Sequence, residues 1–496
     1  MDPAIALTPN RLVRALGKPA CEFTRRDIVS FIEGNDIRML NFRFVAGDGR
    51  LKKLNFVING KAHLDRVLTM GERVDGSSLF PFVSANSSDL YVVPRYRTAF
   101  VNPFADVPTL DLICSFYDSL GQPLASAPEQ IVRKAQALLT ERTGLSLEAL
   151  GELEYYVMSE VDRIYPIVEQ KGYHESHPFS KWGLVRREAM KHISEMGGQI
   201  KYGHAEVGNI LQGNLELVQQ EIEFLPVPVD EAADQLATAK WVLREVAYKH
   251  GLEVSFAPKI SVGHAGSGLH VHTRLMQDGR NVMADENGLS DTARKLIAGL
   301  LMSARSLTAL GNTVPTSFLR LVPNQEAPTS ICWGERNRSA LVRVPLGWTG
   351  VGDRMIRDAN PLEGPEDVEA FESNQTVELR SPDGSAHVHL LLAGMAVAAR
   401  YGLEHPDALR IARELDVQAA APDASPWQAL PVSCHQAAEC LKRDRARYEE
   451  GGVFPAGLID SIAATLRAYD DEHLSEGLAG DADRLNTLVQ RHLHCG

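Results

Sequence analysis

The chain has 496 residues, of which 44% are hydrophobic and 23% are charged, and its formal net charge is −13. This composition is typical of a globular protein with one large domain and one or two smaller ones. The negative charge argues against nucleic acid or an anionic membrane surface as the main partner, and no apolar run reaches membrane-spanning length. The N-terminus lacks a signal-peptide hydrophobic region, and the six scattered cysteines contain no Cys-x-x-Cys, so we expect reduced thiols in the cytoplasm.

The first part of the chain predicts a small sheet domain. A short helix is expected over residues 25–33. Two runs rich in β-branched and aromatic residues, 37–44 and 51–58, flank Gly47-Asp48-Gly49 and predict a hairpin. Further strands are expected over residues 90–93 and 110–117. The domain should therefore end between residues 105 and 125.

The rest of the chain predicts a larger domain of helices and strands, which makes the fold class α+β. Helices are expected where apolar residues recur at helical spacing and where proline or glycine marks an end. The predicted helices cover residues 128–142, 182–195, 231–250, 292–310, 437–448, 458–469 and 485–494. A strand is expected over residues 151–158.

Three strand-like stretches carry polar side chains two residues apart. They are Glu152-Leu153-Glu154, Glu378-Leu379-Arg380 and Leu269-His270-Val271-His272, the last of which follows the glycine-rich residues 263–268. Residues two apart on a strand point to the same face. Each pair alone is more often a solvent-facing pair, but a lone charge is costly in these apolar settings. Together the three pairs indicate one polar site lined by a sheet.

These stretches belong to an ordered set of motifs that resembles glutamine synthetase over nearly the whole chain. The matching motifs are Asp75-Gly76-Ser77-Ser78, Glu152-Leu153-Glu154, His204-Ala205-Glu206-Val207-Gly208, Gln220-Glu221, Gly266 to His272, Arg320-Leu321-Val322-Pro323, Glu326-Ala327-Pro328, Arg336-Asn337-Arg338-Ser339 and Glu378 to Asp383. Any one of them is weak evidence, and the order is what identifies the family. The resemblance implies a leader and helix over residues 1–34, a β-grasp-like sheet domain over residues 35–120 and a glutamine-synthetase-type catalytic α/β domain over residues 121–496.

The activity that the resemblance implies is an ATP-dependent ligation of glutamate to ammonia or an amine through a γ-glutamyl phosphate. Phosphoryl transfer needs divalent cations, and Mg²⁺ or Mn²⁺ favours carboxylate ligands with an occasional imidazole. The resemblance implies two or three cations per site. One would be held by Glu154, Glu206 and Glu221, and another by Glu152, His270 and Glu378.

The resemblance also assigns the residues that would bind the substrates. Glutamate and the acyl phosphate would be bound by Gly266, Arg320 and Arg380, and ATP by His272, Arg338 and Arg343. Glu326 would lie on a flap that shields the acyl phosphate from water. Asp75, from a neighbouring subunit, would bind and deprotonate the ammonium with Tyr173 and Ser78 beside it. Such sharing implies a homo-oligomeric ring, and the resemblance to the family implies two stacked hexamers.

The sequence departs from the family in places that bear on the amine. Ala265 stands where the family usually has Asn, and Thr376 stands where it has an Arg that contacts phosphate. The interval between Glu206 and Glu221 is several residues longer than usual. The added stretch, residues 208–219, contains five aliphatic residues and a single acid.

Two hypotheses about this added stretch stay open. Ile210, Leu211 and Leu215 could line an acceptor pocket for a small apolar alkyl- or arylamine, which would make the chain a γ-glutamylamide synthetase. Alternatively the stretch is only a surface loop and the chain is an ordinary glutamine synthetase that uses ammonia, as the retained Asp75 and Tyr173 suggest. A catalytically inactive ring scaffold is a third hypothesis, and the presence of all six implied metal ligands argues against it. A fourth hypothesis is a guanidino kinase, because such enzymes share some core features with this family. A guanidino kinase would not be expected to keep Asp75 and Glu326, which argues against it.

Overall fold

The computed structural model of the chain describes residues 3–84, 88–286, 288–323, 327–347, 352–362, 373–419, 427–474, 478 and 481–496. Its first domain is one mixed sheet with strand order β2–β1–β6–β4–β3 and with β5 beside β6. The elements are α1 (Pro3–Ala6), α2 (Arg11–Leu16), α3 (Arg25–Gly34), β1 (Met39–Val45), β2 (Leu51–Val57), α4 (Lys61–Met70), β3 (Glu72–Asp75), β4 (Asp89–Pro94), β5 (Phe100–Val101) and β6 (Thr109–Tyr117).

The predicted hairpin of this domain is confirmed, because β1 and β2 pair antiparallel around the Gly47–Gly49 turn. β1 also pairs parallel with β6, so it lies inside the sheet. Phe42 and Phe44 are buried on β1, and the ring of Phe42 lies 4.8 Å from that of Phe56. The predicted helix is α3, which begins at a capping box in which Thr24 and Asp27 each bond the other's backbone N–H.

The second domain is built on a larger sheet with strand order β16–β17–β18–β12–β7–β9–β8, with short strands β10 and β11 beside β7 and β13 beside β12. Its strands are β7 (Ser146–Glu160), β8 (Ile200–Gln212), β9 (Leu215–Phe224), β10 (Val227–Pro228), β11 (Glu253–Ser255), β12 (Leu269–Gln277), β13 (Arg280–Asn281), β16 (Trp333–Glu335), β17 (Val342–Val344) and β18 (Val377–Leu379). A separate two-stranded sheet pairs β14 (Ala284–Asp285) with β15 (Gly288–Leu289).

Helices make up much of the rest of the second domain, and many of them share an apolar core with the large sheet. They are α5 (Pro128–Thr143), α6 (Gly183–Glu195), α7 (Val229–Lys249), α8 (Asp291–Gly311), α9 (Ser317–Arg320), α10 (Gly352–Ala359), α11 (Val388–Glu404), α12 (Ala408–Glu414), α13 (Cys434–Arg443), α14 (Arg445–Glu449), α15 (Leu458–Arg467) and α16 (Ala482–His492). α8 and α11 approach closely at Gly299, where a Cβ atom would lie 2.1 Å from the carbonyl oxygen of Ala398. In the described residues no helix is both long enough and apolar enough to cross a membrane.

Most of the predicted elements are confirmed, and two predictions differ from the structure. The helix expected over residues 437–448 is two helices, α13 and α14, which are separated at Asp444. The added stretch at residues 208–219 is not a surface loop. It forms the end of β8, a turn at Gly213–Asn214 and the start of β9, because its backbone continues the antiparallel pairing of the two strands.

Arginine side chains of the small domain contact the large domain. Arg95 follows β4 and donates two hydrogen bonds, of 2.6 and 3.1 Å, to Asp234 on α7. Arg43 forms a buried ion pair with Asp111, and its guanidinium lies 3.6 Å from the centre of the Trp241 ring, also on α7. The small domain is therefore held against the helix that packs behind the central strand β7.

Candidate active site

Three neighbouring strands bring two carboxylates and two imidazoles to one face of the large sheet. His270 on β12 lies opposite Glu152 on β7, and His272 lies opposite Glu378 on β18. Nδ1 of His270 and Nε2 of His272 are each 2.9 Å from a carboxylate oxygen of Glu152. The spacing of two residues along β12 and the strand register thus create the cluster.

The other side of β7 continues this polar row through β9 and β8. Glu154 lies opposite Glu221, and Glu221 lies opposite His204. Nε2 of His204 is 3.8 Å from Glu221, and its Nδ1 is 3.7 Å from Glu206. The register of β8 against β9 shifts between Ala205 and Asn209, and Glu206 lies within this irregular stretch.

Two groups of side chains in this row have the geometry of metal ligands. The ligand atoms of Glu152, His272 and Glu378 lie within 4.8 Å of one another, and so do those of His204, Glu206 and Glu221. These groups overlap with the two implied ligand sets but contain His272 and His204 in place of His270 and Glu154. His270 lies between the groups, with Nδ1 3.7 Å from Glu378 and Nε2 3.9 Å from Glu154.

The electrostatics of the row agree with cation binding. Burial raises the pKa of Glu221 well above its ordinary value, and the neighbouring carboxylates Glu152, Glu154 and Glu206 add to this. Burial also raises the pKa of Glu154, with Glu206 acting in the same direction. Buried carboxylates that repel one another are stabilised by a divalent cation, and an oxygen-rich donor set with one imidazole suits Mg²⁺ or Mn²⁺. The residues present therefore fit the implied metals.

Arginine side chains border the Glu378 end of the row. Arg343 donates to Glu378 at 2.8 Å, and Arg380 donates to the other carboxylate oxygen at 3.0 Å. Arg320 donates to the Ser381 carbonyl at 2.8 Å, and its second terminal nitrogen is 3.4 Å from Nε2 of His270. Two guanidinium groups thus contact Glu378 and a third lies beside His270, an arrangement that suits a polyanion such as a phosphate chain.

The row forms the floor of a cavity of about 690 Å³. The predicted site residues that line it are Glu152, Glu154, Glu206, Glu221, His270, Glu378, His272, Gly266, Arg320, Arg380, Tyr173, Arg338 and Arg343. Lining residues that the sequence analysis did not assign are Lys201, Tyr202, His204, Val207, Glu223, Lys259, Ala327, Ser339 and Pro345. Of these, His204 could have been found by the same rule as the others, since it lies two residues before Glu206 on one strand.

Two predicted residues, Asp75 and Ser78, do not line this cavity. Glu326 lies outside the described residues. Asp75 and Ser78 are at the end of β3 in the small domain, where Ser78 Oγ donates to Asp75 at 2.6 Å and the Ser77 N–H donates at 3.0 Å. Hydrogen bonds from Ser78, Ser77 and Ser88 hold the pKa of Asp75 well below its ordinary value. Asp75 is therefore an ionised carboxylate at the protein surface.

One wall of the cavity is aromatic. Tyr173 stacks on His174 with ring centres 4.3 Å apart, and Tyr173 and Tyr202 lie 5.6 and 5.9 Å from the ring of His204. Arg338 reaches the same wall, where a hydrogen bond with Tyr173 raises the pKa of the guanidinium. The segment that carries Tyr173 runs beside β8, because the N–H of His174 donates to the Ala205 carbonyl at 2.9 Å.

The three aliphatic residues of the added stretch that were expected to line an acceptor pocket do not line this cavity. Ile210 is 2% exposed and packs in a small cluster with Tyr156 and Leu217, away from the cavity lining. Leu211 and Leu215, near the hairpin turn, are 45% and 40% exposed and do not line the cavity either. Because β8 pairs with β9 beyond the polar row, the added residues lie in the extension of these two strands and not in the cavity.

Comparison with known families agrees with this geometry. A family model described as the catalytic domain of glutamine synthetase matches residues 125–473, and one described as the glutamine synthetase β-grasp domain matches residues 36–119. The chain belongs to the glutamine synthetase family. Its small sheet domain is the β-grasp domain and its large domain is the catalytic domain. The protein is an ATP-dependent ligase that forms carbon–nitrogen bonds.

Individual relatives extend the comparison over most of the chain. Glutamine synthetase from Clostridium saccharobutylicum is 32% identical over 392 residues, which are 77% of this chain and 81% of the relative. The Mycobacterium bovis enzyme is 29% identical over 490 residues, which cover 91% of this chain and 96% of the relative. Plasmodium falciparum glutamine synthetase has a TM-score of 0.74 at 17% identity, covering 91% of this chain and 97% of that one. Ligand-free GmaS has a TM-score of 0.70 at 20% identity, covering 92% and 99%.

Proposed function

We propose that this member of the family joins the γ-carboxylate of glutamate to a small apolar alkyl- or arylamine through a γ-glutamyl phosphate. The observation that carries the proposal is the aromatic wall of Tyr173, Tyr202 and His204 beside the second metal-type group. A polyamine acceptor would need a further carboxylate for its distal ammonium. The additional acid of the cavity, Glu223, is already paired with Lys201 at 2.6 Å.

The cavity residues divide the reaction between them. Of two or three divalent cations, one would be held by Glu154, Glu206 and Glu221 and another by Glu152, His270 and Glu378. They would supply neutralising charge for the phosphates of ATP. Arg338 and Arg343 would bind those phosphates. Arg320 and Arg380 would hold glutamate and orient its γ-carboxylate, since a guanidinium can hydrogen-bond a carboxylate through two nitrogens. An enclosed site limits loss of the acyl phosphate to water, and Glu326 would contribute to that shielding.

Asp75 would supply the base for the incoming ammonium. Its carboxylate is ionised and exposed, and it does not line the cavity of its own chain. We therefore propose that Asp75 and Ser78 complete the cavity of a neighbouring subunit in a ring oligomer, as two stacked hexamers. The six cysteines are free thiols, which supports a cytoplasmic enzyme. Sedimentation of a fully active monomer would contradict the shared site.

Ordinary glutamine synthesis from ammonia is the second candidate. It is favoured by the relatives near 30% identity, which carry the name glutamine synthetase, and by the retained Asp75. GmaS matches at 20% identity and supports the shared fold, not the choice of amine.

An amine panel with glutamate and ATP separates the two candidates, with phosphate release and product mass as readouts. Each CH₂ of the amine that is buried contributes about 0.8 kcal/mol of binding free energy. The value of kcat/KM should therefore rise about fourfold per added methylene until the amine covers the aromatic wall. Tyr173→Ala should reduce kcat/KM for the best amine more than for ammonia. Asp75→Asn should impair ammonia and alkylamines strongly and a neutral arylamine mildly. If ammonia is the best acceptor across the panel, the enzyme is a plain glutamine synthetase, and if no acceptor releases phosphate, it is an inactive scaffold.

A further inference from the structure

Gln219 is a buried amide at the end of the added stretch, and it contacts the candidate site directly. It lies on β9 two residues before Glu221 and is 1% exposed. Its Oε1 accepts the Gly208 N–H at 3.0 Å. Its Nε2 donates to Oε2 of Glu154 at 3.1 Å and to the Gly266 carbonyl at 3.0 Å. Both polar atoms of the side chain are therefore engaged.

The contact with Glu154 determines which carboxylate oxygen faces the cavity. Oε2 of Glu154 accepts from Gln219 and from the Gly268 N–H, which donates at 2.8 Å. The other oxygen, Oε1, lies 3.9 Å from Nε2 of His270. Two N–H donors on one oxygen fix the orientation of the group and leave Oε1 directed toward the polar row.

The contact with Gly266 ties the glycine-rich segment to the same amide. A Cβ atom at Gly266 would lie 2.5 Å from the Pro258 carbonyl oxygen, so the segment is closely packed there. Tyr156, which faces Gln219 across the β7–β9 pair, donates from its hydroxyl to the Ala265 carbonyl at 2.8 Å. The segment is thus fastened at two consecutive residues from the strands below it.

The start of the added stretch is packed against the same amide. At Gly208 a Cβ atom would lie 2.1 Å from the Tyr156 hydroxyl and 2.4 Å from Oε1 of Gln219. The N–H of Gly208 has Gln219 as its acceptor. The two ends of residues 208–219 therefore meet at this amide.

We propose that Gln219 is a positioning residue, which orients Glu154 for the divalent cation and holds Gly266 for glutamate. The proposal relies on the proposed function in treating Glu154 and Gly266 as part of the site, and it does not depend on the identity of the amine. An amide is the side chain required, since it donates to a carboxylate and a carbonyl while accepting from an N–H. A glutamate there would place a second negative charge beside Glu154, and a methionine would have the length without the donors.

The test uses full-length Gln219→Met and Gln219→Glu, with Gln220→Met as the matched control. Gln220 is also a buried glutamine of β9, but its amide bonds the Lys181 carbonyl and it does not contact Glu154. Mn²⁺ binding is measured by the electron paramagnetic resonance signal of the free ion, glutamate KM and kcat by phosphate release, and folding by circular dichroism. Loss of such an orienting contact typically weakens metal binding about 10- to 100-fold.

The expected result is weaker Mn²⁺ binding and a raised glutamate KM in both Gln219 variants, with wild-type far-ultraviolet spectra and with Mn²⁺ binding by Gln220→Met within about threefold of wild type. If Gln219→Met does not fold, Gln219→Glu carries the test, because it keeps the shape and the acceptor. Wild-type Mn²⁺ affinity and glutamate KM in a folded Gln219 variant would overturn the inference. An equal loss in Gln220→Met would also overturn it. If the amine assignment fails, wild-type Mn²⁺ affinity is unaffected and the comparison between variants still decides the role of Gln219.

Discussion

Removing the charge of Glu216 should weaken the packing of the β8–β9 hairpin against the segment that carries Tyr173. Glu216 is 0% exposed and accepts from Lys181 Nζ at 2.9 Å and from Ser159 Oγ at 3.3 Å. Lys181 also donates to the Asp162 carbonyl at 2.7 Å. Glu216→Gln leaves the buried Lys181 ammonium with the half-exposed Asp162 carboxylate, 4.0 Å away, as its remaining counter-charge.

The size of the effect follows from that geometry. Breaking a buried ion pair by removing one partner costs about 3–5 kcal/mol. The Asp162 carbonyl remains as an acceptor, so we expect the lower end, about 3 kcal/mol, which is roughly a 150-fold change in an opening equilibrium. Lys181→Met combined with Glu216→Met removes both charges and should cost less than Glu216→Gln alone.

Hydrogen–deuterium exchange of the hairpin and its neighbouring segment measures this local opening. The reporters are the amides of Gln170, Gly172 and His174, which donate to carbonyls of β8. They should exchange roughly 150-fold faster in Glu216→Gln. Glu414→Gln, which breaks an exposed pair with Arg410, is the control and should leave their exchange unchanged. Less than a fivefold change in Glu216→Gln, or a double variant that opens as readily, would refute the reasoning.

Three further predictions concern the site and the domain junction. Gly266→Ala should raise the glutamate KM at least about tenfold in steady-state kinetics, because its Cβ would lie 2.5 Å from the Pro258 carbonyl; an unchanged KM would contradict the tight packing. Burial opposes ionisation of Asp234, but Arg95 and His389 hold its pKa well below the ordinary value. A depressed pKa adds stability above the unfolded pKa of about 3.9 and loses it as the pH falls. The Tm of wild type should therefore exceed that of Asp234→Asn most at pH 5 and above, and the calorimetric difference should shrink toward pH 3; a constant difference would contradict the linkage. In the presence of a chelator, Glu221→Gln should match or exceed the wild-type Tm in scanning fluorimetry, because one of the mutually repelling carboxylates is gone, whereas Mn²⁺ should raise the Tm of wild type more than that of the variant. Equal Mn²⁺ shifts would argue against Glu221 as a ligand.

Sequence analysis correctly grouped the site residues whose common orientation depends only on their spacing along one strand. Glu152 and Glu154, and likewise His270 and His272, share a strand face because they are two residues apart, and the cavity contains all four. The pairing of His204 with Glu221 depends on which strands are neighbours and in what register, and these are tertiary properties that no local pattern carries.

Errors arose where a local pattern permitted more than one structure. The aliphatic residues of the added stretch indicate burial, but Ile210 satisfies that requirement against Tyr156 and not in the cavity. Gly213-Asn214 between the two runs is a turn signal that our predictions did not use, since glycine and asparagine accept turn conformations readily. The contact of Arg43 with Trp241 joins residues from two domains, and composition gives no sign of it.

The turn of the β8–β9 hairpin offers a place where foreign sequence can be grafted. Gly213 has a positive φ of 64°, and no atom lies within 4 Å of the position a Cβ would take. The register of the two strands decides which face of the sheet each side chain points to. Residues inserted at the tip of the turn do not change that register. A short epitope or fluorophore-binding peptide placed between Gly213 and Asn214 would project into solvent and report on assembly without touching the catalytic row.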